Sequence, residues 1–520
     1  MENKGSELRL LKKGQSGLWL LLGPMGIALV LLVVQVIFMI TVFLWFEEYV
    51  IHIYGGAFTV SILTVLYLLN RPMEPTIRTA WVALVMAWPV CGTLLYVFTR
   101  RDIGQRLLTH ATRQAGQKAS RQLPQEENTL KALAMANPGA AGLCRYAIKT
   151  GNARLFCDTD VKYIPLGEAL LSAMLTELEK AEKFIYLEYF IISEGVMWGQ
   201  ILDVLARKAK EGVDVRVLYD GACEFALLPK NYPDRLKKLG IQCKVFSPFK
   251  PFVSTHYNYR DHRKIMVIDG RVAFNGGINL SDEYINIGSP YGHWKDTAVM
   301  LEGSAVRGFT DMFFRMWNLS EKEPDTSGLE LFVPREDAQG FVMPFGDDPM
   351  DDEPLGHTVY MDLLNRATER VQIMTPYLIL DAAMEDALCR ASRRGIQVQL
   401  LLPGIPDKYA PYALAKSHYK SLLDAGIEIY EYTPGFTHGK MILADGREAV
   451  VGTVNFDYRS FYHHFECGTY MYNVPGIAAI EEDFRQCLEM SQTVTSTTVR
   501  QEKWHRKLTA YLLKGFAPLL

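Results

Sequence analysis

Three long apolar runs lead the chain, at residues 18–46, 49–69 and 80–98, and none contains Asp, Glu, Lys or Arg. Built as one helix, the first would be about 43 Å long at 1.5 Å per residue, longer than a hydrocarbon core of roughly 30 Å. The pattern predicts three membrane-spanning helices. No small-residue cleavage site follows a short apolar core, so the first run reads as an anchor and not as a removable leader. Past residue 160 the pattern changes. Amphipathic stretches such as 199–210 and 384–394 close on a glycine, and a short apolar run follows each. Helix, glycine cap and buried strand, repeated, predict an α/β fold with helices over a mostly parallel sheet.

The pattern is also doubled. Phe184-Ile-Tyr-Leu-Glu-Tyr-Phe190 parallels Val371-Gln-Ile-Met-Thr-Pro-Tyr377, and the strand after Gly212 parallels the one after Gly395. Gly240 to Pro248 likewise parallels Gly426 to Pro434. Two tandem α/β sandwich halves related by pseudo-twofold symmetry are expected. The expected organisation is a membrane anchor (1–99), a basic juxtamembrane segment and linker (100–160), two halves (161–335 and 336–500) and a tail (501–520). The acidic stretch 347–353 is expected to be a solvated loop near the boundary between the halves.

Charge bears on topology and on partners. Lys4, Arg9, Lys12 and Lys13 precede the first run, and Arg100, Arg101, Arg106, Arg113, Lys118 and Arg121 follow the third. The positive-inside rule puts both flanks in the cytosol, which three full crossings do not allow. Either the N-terminus lies outside or one run does not cross. The denser cluster adjoins the catalytic part, so residues 100–520 are expected to face the cytosol, with the arginines attracting anionic lipid. The net charge is −3, which gives no basic signature for nucleic acid. None of the eight cysteines forms a C-x2-C pair, so a zinc ribbon, a redox motif and a disulfide framework are not expected.

The chemistry lies in one motif that occurs twice. His262, Lys264, Asp269, Gly270, Gly276 and Asn279 recur as His438, Lys440, Asp445, Gly446, Gly452 and Asn455 with unchanged spacing. A strand puts His and Lys of His-x-Lys on one face. The apolar run after it, the Asp-Gly turn and a second strand make a hairpin that returns Asn beside His and Lys. Two such hairpins would supply two imidazoles, two ammonium groups and two amides, a cradle for a phosphate with acid–base groups beside it. A lysine two residues from each histidine would repel a dication, so no metal and no cofactor are expected. Asp269 and Asp445 complete the motif, and an Asp before Gly is a common turn residue, so they are expected to buttress the hairpins rather than to move protons.

This pair of motifs resembles the phospholipase D superfamily and, more narrowly, the bacterial cardiolipin synthases. The carriers are the 80–98 run with Pro89 and Gly92, Asn258-Tyr-Arg-Asp-His-Arg-Lys264, Gly276-Gly-Ile-Asn279, Trp294-Lys-Asp-Thr297, Gly435-Phe-Thr-His-Gly-Lys440 and Gly452-Thr-Val-Asn-Phe-Asp-Tyr-Arg-Ser-Phe461. The resemblance covers about residues 75–520. It implies that the two motifs form one active site, in which Asp296 would orient His262 and Glu466 would orient His438. It further implies ping-pong exchange, with His262 as nucleophile and His438 as general acid and base. Lys264, Lys440, Asn279 and Asn455 would hold the phosphate. The implied reaction joins two phosphatidylglycerol molecules into cardiolipin and glycerol in the cell membrane. A hydrolytic phospholipase D, or transfer to another alcohol, is the alternative. Three departures stand out: the extra run at 18–46, Asp261 in place of Asn, and His464 in place of Asn.

Overall fold

The computed structural model describes residues 50–100, 125–248 and 259–519 apart from isolated positions, with a few more between 33 and 41. Two sheets carry the catalytic part, and they share one strand order. In the first, strands run in the order Thr159–Ile164, Ala298–Gly303, Val272–Gly276, Lys264–Ile268, Phe184–Tyr189, Asp214–Asp220, Gln242–Phe246. In the second, the order is Phe341–Asp347, His464–Tyr472, Glu448–Gly452, Met441–Ala444, Arg370–Met374, Gln397–Pro403, Glu428–Tyr432, with Ser491–Thr493 added at the edge. The internal repeat is thus a repeat of topology.

The sheets are mixed, which corrects the expectation of mostly parallel strands. Along the main strand orders the strands joined by helical crossovers pair in parallel, Phe184–Tyr189 with Asp214–Asp220 and that strand with Gln242–Phe246, and likewise Arg370–Met374 with Gln397–Pro403 and that strand with Glu428–Tyr432. The motif strand turns back on itself, so Lys264–Ile268 pairs antiparallel with Val272–Gly276, and Met441–Ala444 with Glu448–Gly452. Three residues join each pair, 269–271 and 445–447, and so short a connection permits only that sense. Both hairpins are buried on both faces, as their continuous apolar runs require.

Asp269 and Asp445 sit at the turns, far from the histidines. Each adopts positive φ, 55° and 53° respectively. Asp269 accepts the backbone N–H of Glu182, Lys183 and Phe184 at 2.7–2.8 Å. Asp445 accepts those of Thr368, Glu369 and Arg370 at 2.8–2.9 Å. Each carboxylate therefore fixes the start of the neighbouring central strand against the hairpin turn.

Two short parallel pairings link the halves. Arg260–Asp261 lies along His464–Phe465, and Gly435–Thr437 lies along His293–Lys295. Residues 127–150, read from sequence as linker, form the helices Glu127–Ala136 and Pro138–Thr150, joined at Asn137, whose side chain caps the second helix. Their buried residues, Leu133, Leu143 and Cys144 among them, pack into the core of the second half. The acidic stretch is not wholly a solvated loop, which corrects that expectation. Asp347 is buried and accepts the N–H groups of Leu355 and Gly356 at 3.2 and 2.7 Å, which caps the helix Leu355–Arg366.

The N-terminal residues form a compact unit of their own. The run at 80–98 is not one helix. It lies in Pro75–Ala87 and Pro89–Arg100, broken at Trp88-Pro89. Proline cannot continue the helical hydrogen bonding, and the chain turns back there. A Cβ on Gly92 would lie 2.8 Å from the Leu84 carbonyl oxygen, so only glycine lets the second helix lie so close to the first. Val50–Asn70 is helical, with its side chains described from Gly55 onward. Among the described residues no helix is long and apolar enough to cross a membrane. The run at 18–46 and the basic stretch 101–121 lie outside the described residues, but for a few positions.

The turn carboxylates give a direct test. Asp269→Ala removes a charged acceptor from three N–H groups and places alanine at positive φ, so it should cost about 2–4 kcal/mol. Asp269→Asn keeps one acceptor and a residue tolerant of that conformation, and should cost less than half as much. Asp445 variants should follow the same order. Thermal unfolding of the purified proteins measures both pairs, and equal losses for Ala and Asn would contradict the assignment.

Candidate active site

The parallel pairings between the halves set the site. His262 donates its N–H to the Phe465 carbonyl at 2.9 Å, which brings the following residue, Glu466, against the His262 ring. His438 donates its N–H to the Lys295 carbonyl at 2.6 Å, which brings Asp296 against the His438 ring. His262 Nδ1 lies 3.0 Å from both Glu466 oxygens. His438 Nδ1 lies 2.7 Å from Asp296 Oδ2. The carboxylates are therefore crossed: each histidine is oriented by an acid from the other half. This corrects the pairing of Asp296 with His262 and Glu466 with His438. Both acids are fully buried, and both histidines are 7% exposed. With Nδ1 engaged, Nε2 is the reactive nitrogen of each ring.

Aromatic rings fix the imidazoles in place. Phe190 meets His262 edge-on at 4.9 Å between centroids, and Tyr284 meets His438 the same way at 5.3 Å. Trp294 packs beside His438 at 5.4 Å. Thr453 Oγ1 donates to Glu466 Oε2 and holds that carboxylate. Phe190, Trp294 and Thr453 lie within stretches that the sequence singles out, but their part at the rings is set by the fold alone, and Tyr284 lies in none of those stretches.

Each lysine is held against the histidine of its own motif. Lys264 Nζ donates to the His262 carbonyl at 2.6 Å, and Lys440 Nζ donates to the His438 carbonyl and lies 2.8 Å from His438 Nδ1. Both are buried. Burial pulls the Lys264 ammonium down to about 8, against the opposing charge of Glu466. Burial, with Lys264 adding to it and Asp296 opposing it, pulls Lys440 down to about 7.

The two asparagines are not equivalent. Asn279 Oδ1 accepts from the Ile191 N–H at 3.1 Å, and its Nδ2 donates to the Tyr284 hydroxyl at 2.6 Å, so its side chain is already held. Asn455 Oδ1 is buried and has no partner among the described residues. Asp269 and Asp445 lie at the far ends of their hairpins and take no part in the site.

The imidazoles differ as well. Burial, then the charge of Lys264, holds His262 well below the usual histidine value. Burial and Lys440 push His438 down to about 4, but Asp296 opposes them. Burial pushes Glu466 well above the carboxylate range. A proton brought to the pair is therefore better held by His438, backed by Asp296, than by His262, whose acid is itself reluctant to ionise. His262 is left neutral.

Two neutral-capable imidazoles, each with an acid behind it, over two buried ammonium groups define a phospholipase D-like phosphodiester-transfer site. The comparisons agree. Residues 174–317 and 360–488 match the family described as "Cardiolipin synthase, PLD-like domain". A cardiolipin synthase of Alkalihalophilus pseudofirmus is 31% identical over 91% of this chain and 95% of its own length. One from Geobacillus kaustophilus is 32% identical over 89% and 92%. An uncharacterized protein of Streptococcus mutans is 48% identical over 88% of this chain and 99% of its own. The fold matches phosphatidylserine synthase of Haemophilus influenzae with a TM-score of 0.55 at 15% identity, over 73% of this chain and 98% of that one. The chain belongs to the cardiolipin synthase family of phospholipase D-like enzymes, which transfer phosphatidyl groups.

The buried lysines predict an alkaline limit. Each ammonium is charged below its pKa, so phosphate attraction is present at low pH and lost as pH rises through about 7 to 8. The ratio kcat/KM, which reports the free enzyme, should fall above pH 8, with KM carrying the loss. A profile flat from about pH 7 to 9 would contradict the lysine role.

Proposed function

We propose that this enzyme joins two phosphatidylglycerol molecules into cardiolipin and free glycerol. The crossed acid–histidine pairs carry this reading, because they supply a nucleophile and a proton donor in one pocket. His262 Nε2 attacks the phosphorus of the first lipid. The bond from phosphorus to the glycerol oxygen breaks, and His438 gives that oxygen its proton. Glycerol leaves and a phosphatidyl group stays on His262. A hydroxyl of a second phosphatidylglycerol then gives its proton to His438 and attacks the phosphorus. The P–N bond breaks, cardiolipin forms and both imidazoles are restored. One phosphodiester replaces another, so no energy-rich co-substrate is needed. Lys264 and Lys440 hold the non-bridging oxygens, joined by the Nδ2 donor of Asn455, and Asn279 acts through Tyr284, which packs on His438.

The enzyme is anchored in the membrane by more than one segment, with its catalytic part on the cytosolic face. Exposed apolar side chains on the Val50–Asn70 helix, such as Phe58, Leu63 and Leu66, support this, since lipid is the solvent that suits them. The break at Trp88-Pro89 supports a third segment that enters and returns. Helices of 13 and 12 residues reach only about 20 Å at 1.5 Å per residue. Two crossings, by 18–46 and 49–69, then leave both basic flanks on the same side, as the charge rule asks.

The test is to incubate the purified full-length protein with phosphatidylglycerol alone, in excess EDTA, and to identify the lipid and alcohol products. Cardiolipin and glycerol in equal amounts are expected. Phosphatidic acid as the main product would make the enzyme a hydrolase. Loss of turnover with EDTA, reversed by zinc, would overturn the cradle of lysines and amides.

A further inference from the structure

His464 is a third imidazole at the site, and the transfer steps give it no part. Its ring centroid is 5.2 Å from that of His262, and the residue is 8% exposed. Neither ring nitrogen has a hydrogen-bond partner among the described residues. Leaving such groups buried and unpaired costs about 1–3 kcal/mol, so a fold that holds them beside a nucleophile is arranged for a partner that arrives with the substrate.

The neighbours decide what kind of partner. Nδ1 lies 3.4 Å from Glu466 Oε1, the same carboxylate that orients His262. That contact favours a proton on Nδ1 and leaves Nε2 with a lone pair. Burial, then Arg459, His463, Lys264 and Arg260, holds the ring well below the usual histidine value, so it stays neutral. A lone pair repels the oxygens of a phosphate, which are themselves acceptors. It accepts a hydroxyl.

We propose that His464 Nε2 accepts a hydrogen bond from a free hydroxyl of the glycerol headgroup whose phosphate is attacked by His262. This rests on the phosphatidyl-transfer reading above. It makes His464 a specificity residue: the pocket selects polyol headgroups over simple alkyl ones. Selectivity of this kind is a difference of transition-state binding, read as a ratio of kcat/KM values.

Release of the headgroup alcohol tests it, with phosphatidylglycerol and phosphatidylpropanol as donors for the full-length protein. The two lipids share the phosphodiester and differ in headgroup hydroxyls. The wild-type protein should favour phosphatidylglycerol about five- to tenfold, the worth of one neutral hydrogen bond. His464→Phe should bring the ratio near one, through a higher KM for phosphatidylglycerol. His464→Gln places an amide oxygen near the position of Nε2 and should restore most of the preference. The proposal is overturned if the Phe variant keeps the wild-type ratio, or if the wild-type protein shows no preference. Should the Phe variant not fold, a Gln variant without the preference overturns it too. A wild-type protein that turns over neither lipid instead overturns the phosphatidyl-transfer reading itself.

Discussion

The structure depends on two buried hydrogen-bonded contacts that cross between the halves, Glu466 with His262 and Asp296 with His438. Neither half holds a complete site. An acid removed from water is costly unless it is paired and hydrogen-bonded, so each half needs the other's imidazole as much as the imidazole needs the acid. The parallel pairings of Arg260–Asp261 with His464–Phe465 and of Gly435–Thr437 with His293–Lys295 serve this contact. Arg263 adds to the seam by donating to the backbone carbonyls of Glu466 and Asp347, both at 3.1 Å. The contacts that join the halves are also the contacts that complete the site.

Symmetry in the fold does not carry through to the chemistry. A glutamate backs one histidine and an aspartate the other. Asn279 is held by Ile191 and Tyr284, whereas the Asn455 oxygen has no such partner. His464 stands on the His262 side. These differences separate two otherwise similar imidazoles by their surroundings, and in the proposed reaction they make one the neutral nucleophile and the other the proton carrier. That separation is what a ping-pong exchange requires, since one group must form a bond to phosphorus while the other manages the alcohol's proton.

Much of this was legible in the sequence. The doubled motif pointed to paired hairpins, and the apolar runs after each glycine located the central strands. What escaped was set by distance along the chain. Glu466 lies 28 residues after His438, so proximity in sequence suggested the wrong partner, and only the strand pairing at Phe465 shows that it faces His262. The sense of the strands is not legible in the pattern, because a run buried on both faces looks alike in parallel and antiparallel neighbours. The 80–98 run reads as one span by hydropathy, yet Pro89 breaks it and Gly92 allows the return. Asp347 looked like part of a solvated acidic loop because a helix cap is not visible in charge alone.

The assignment of His262 as nucleophile is the central claim, and mapping the covalent adduct tests it most directly. His438→Ala protein would be mixed with a phosphatidyl ester that has a good leaving group, quenched, digested and analysed by mass spectrometry. The account predicts a phosphatidyl group on His262, and none in His262→Ala protein treated alike. An adduct on His438 in the His262→Ala protein would reverse the assignment, and the absence of any adduct in either variant or in quenched wild-type enzyme would contradict covalent catalysis.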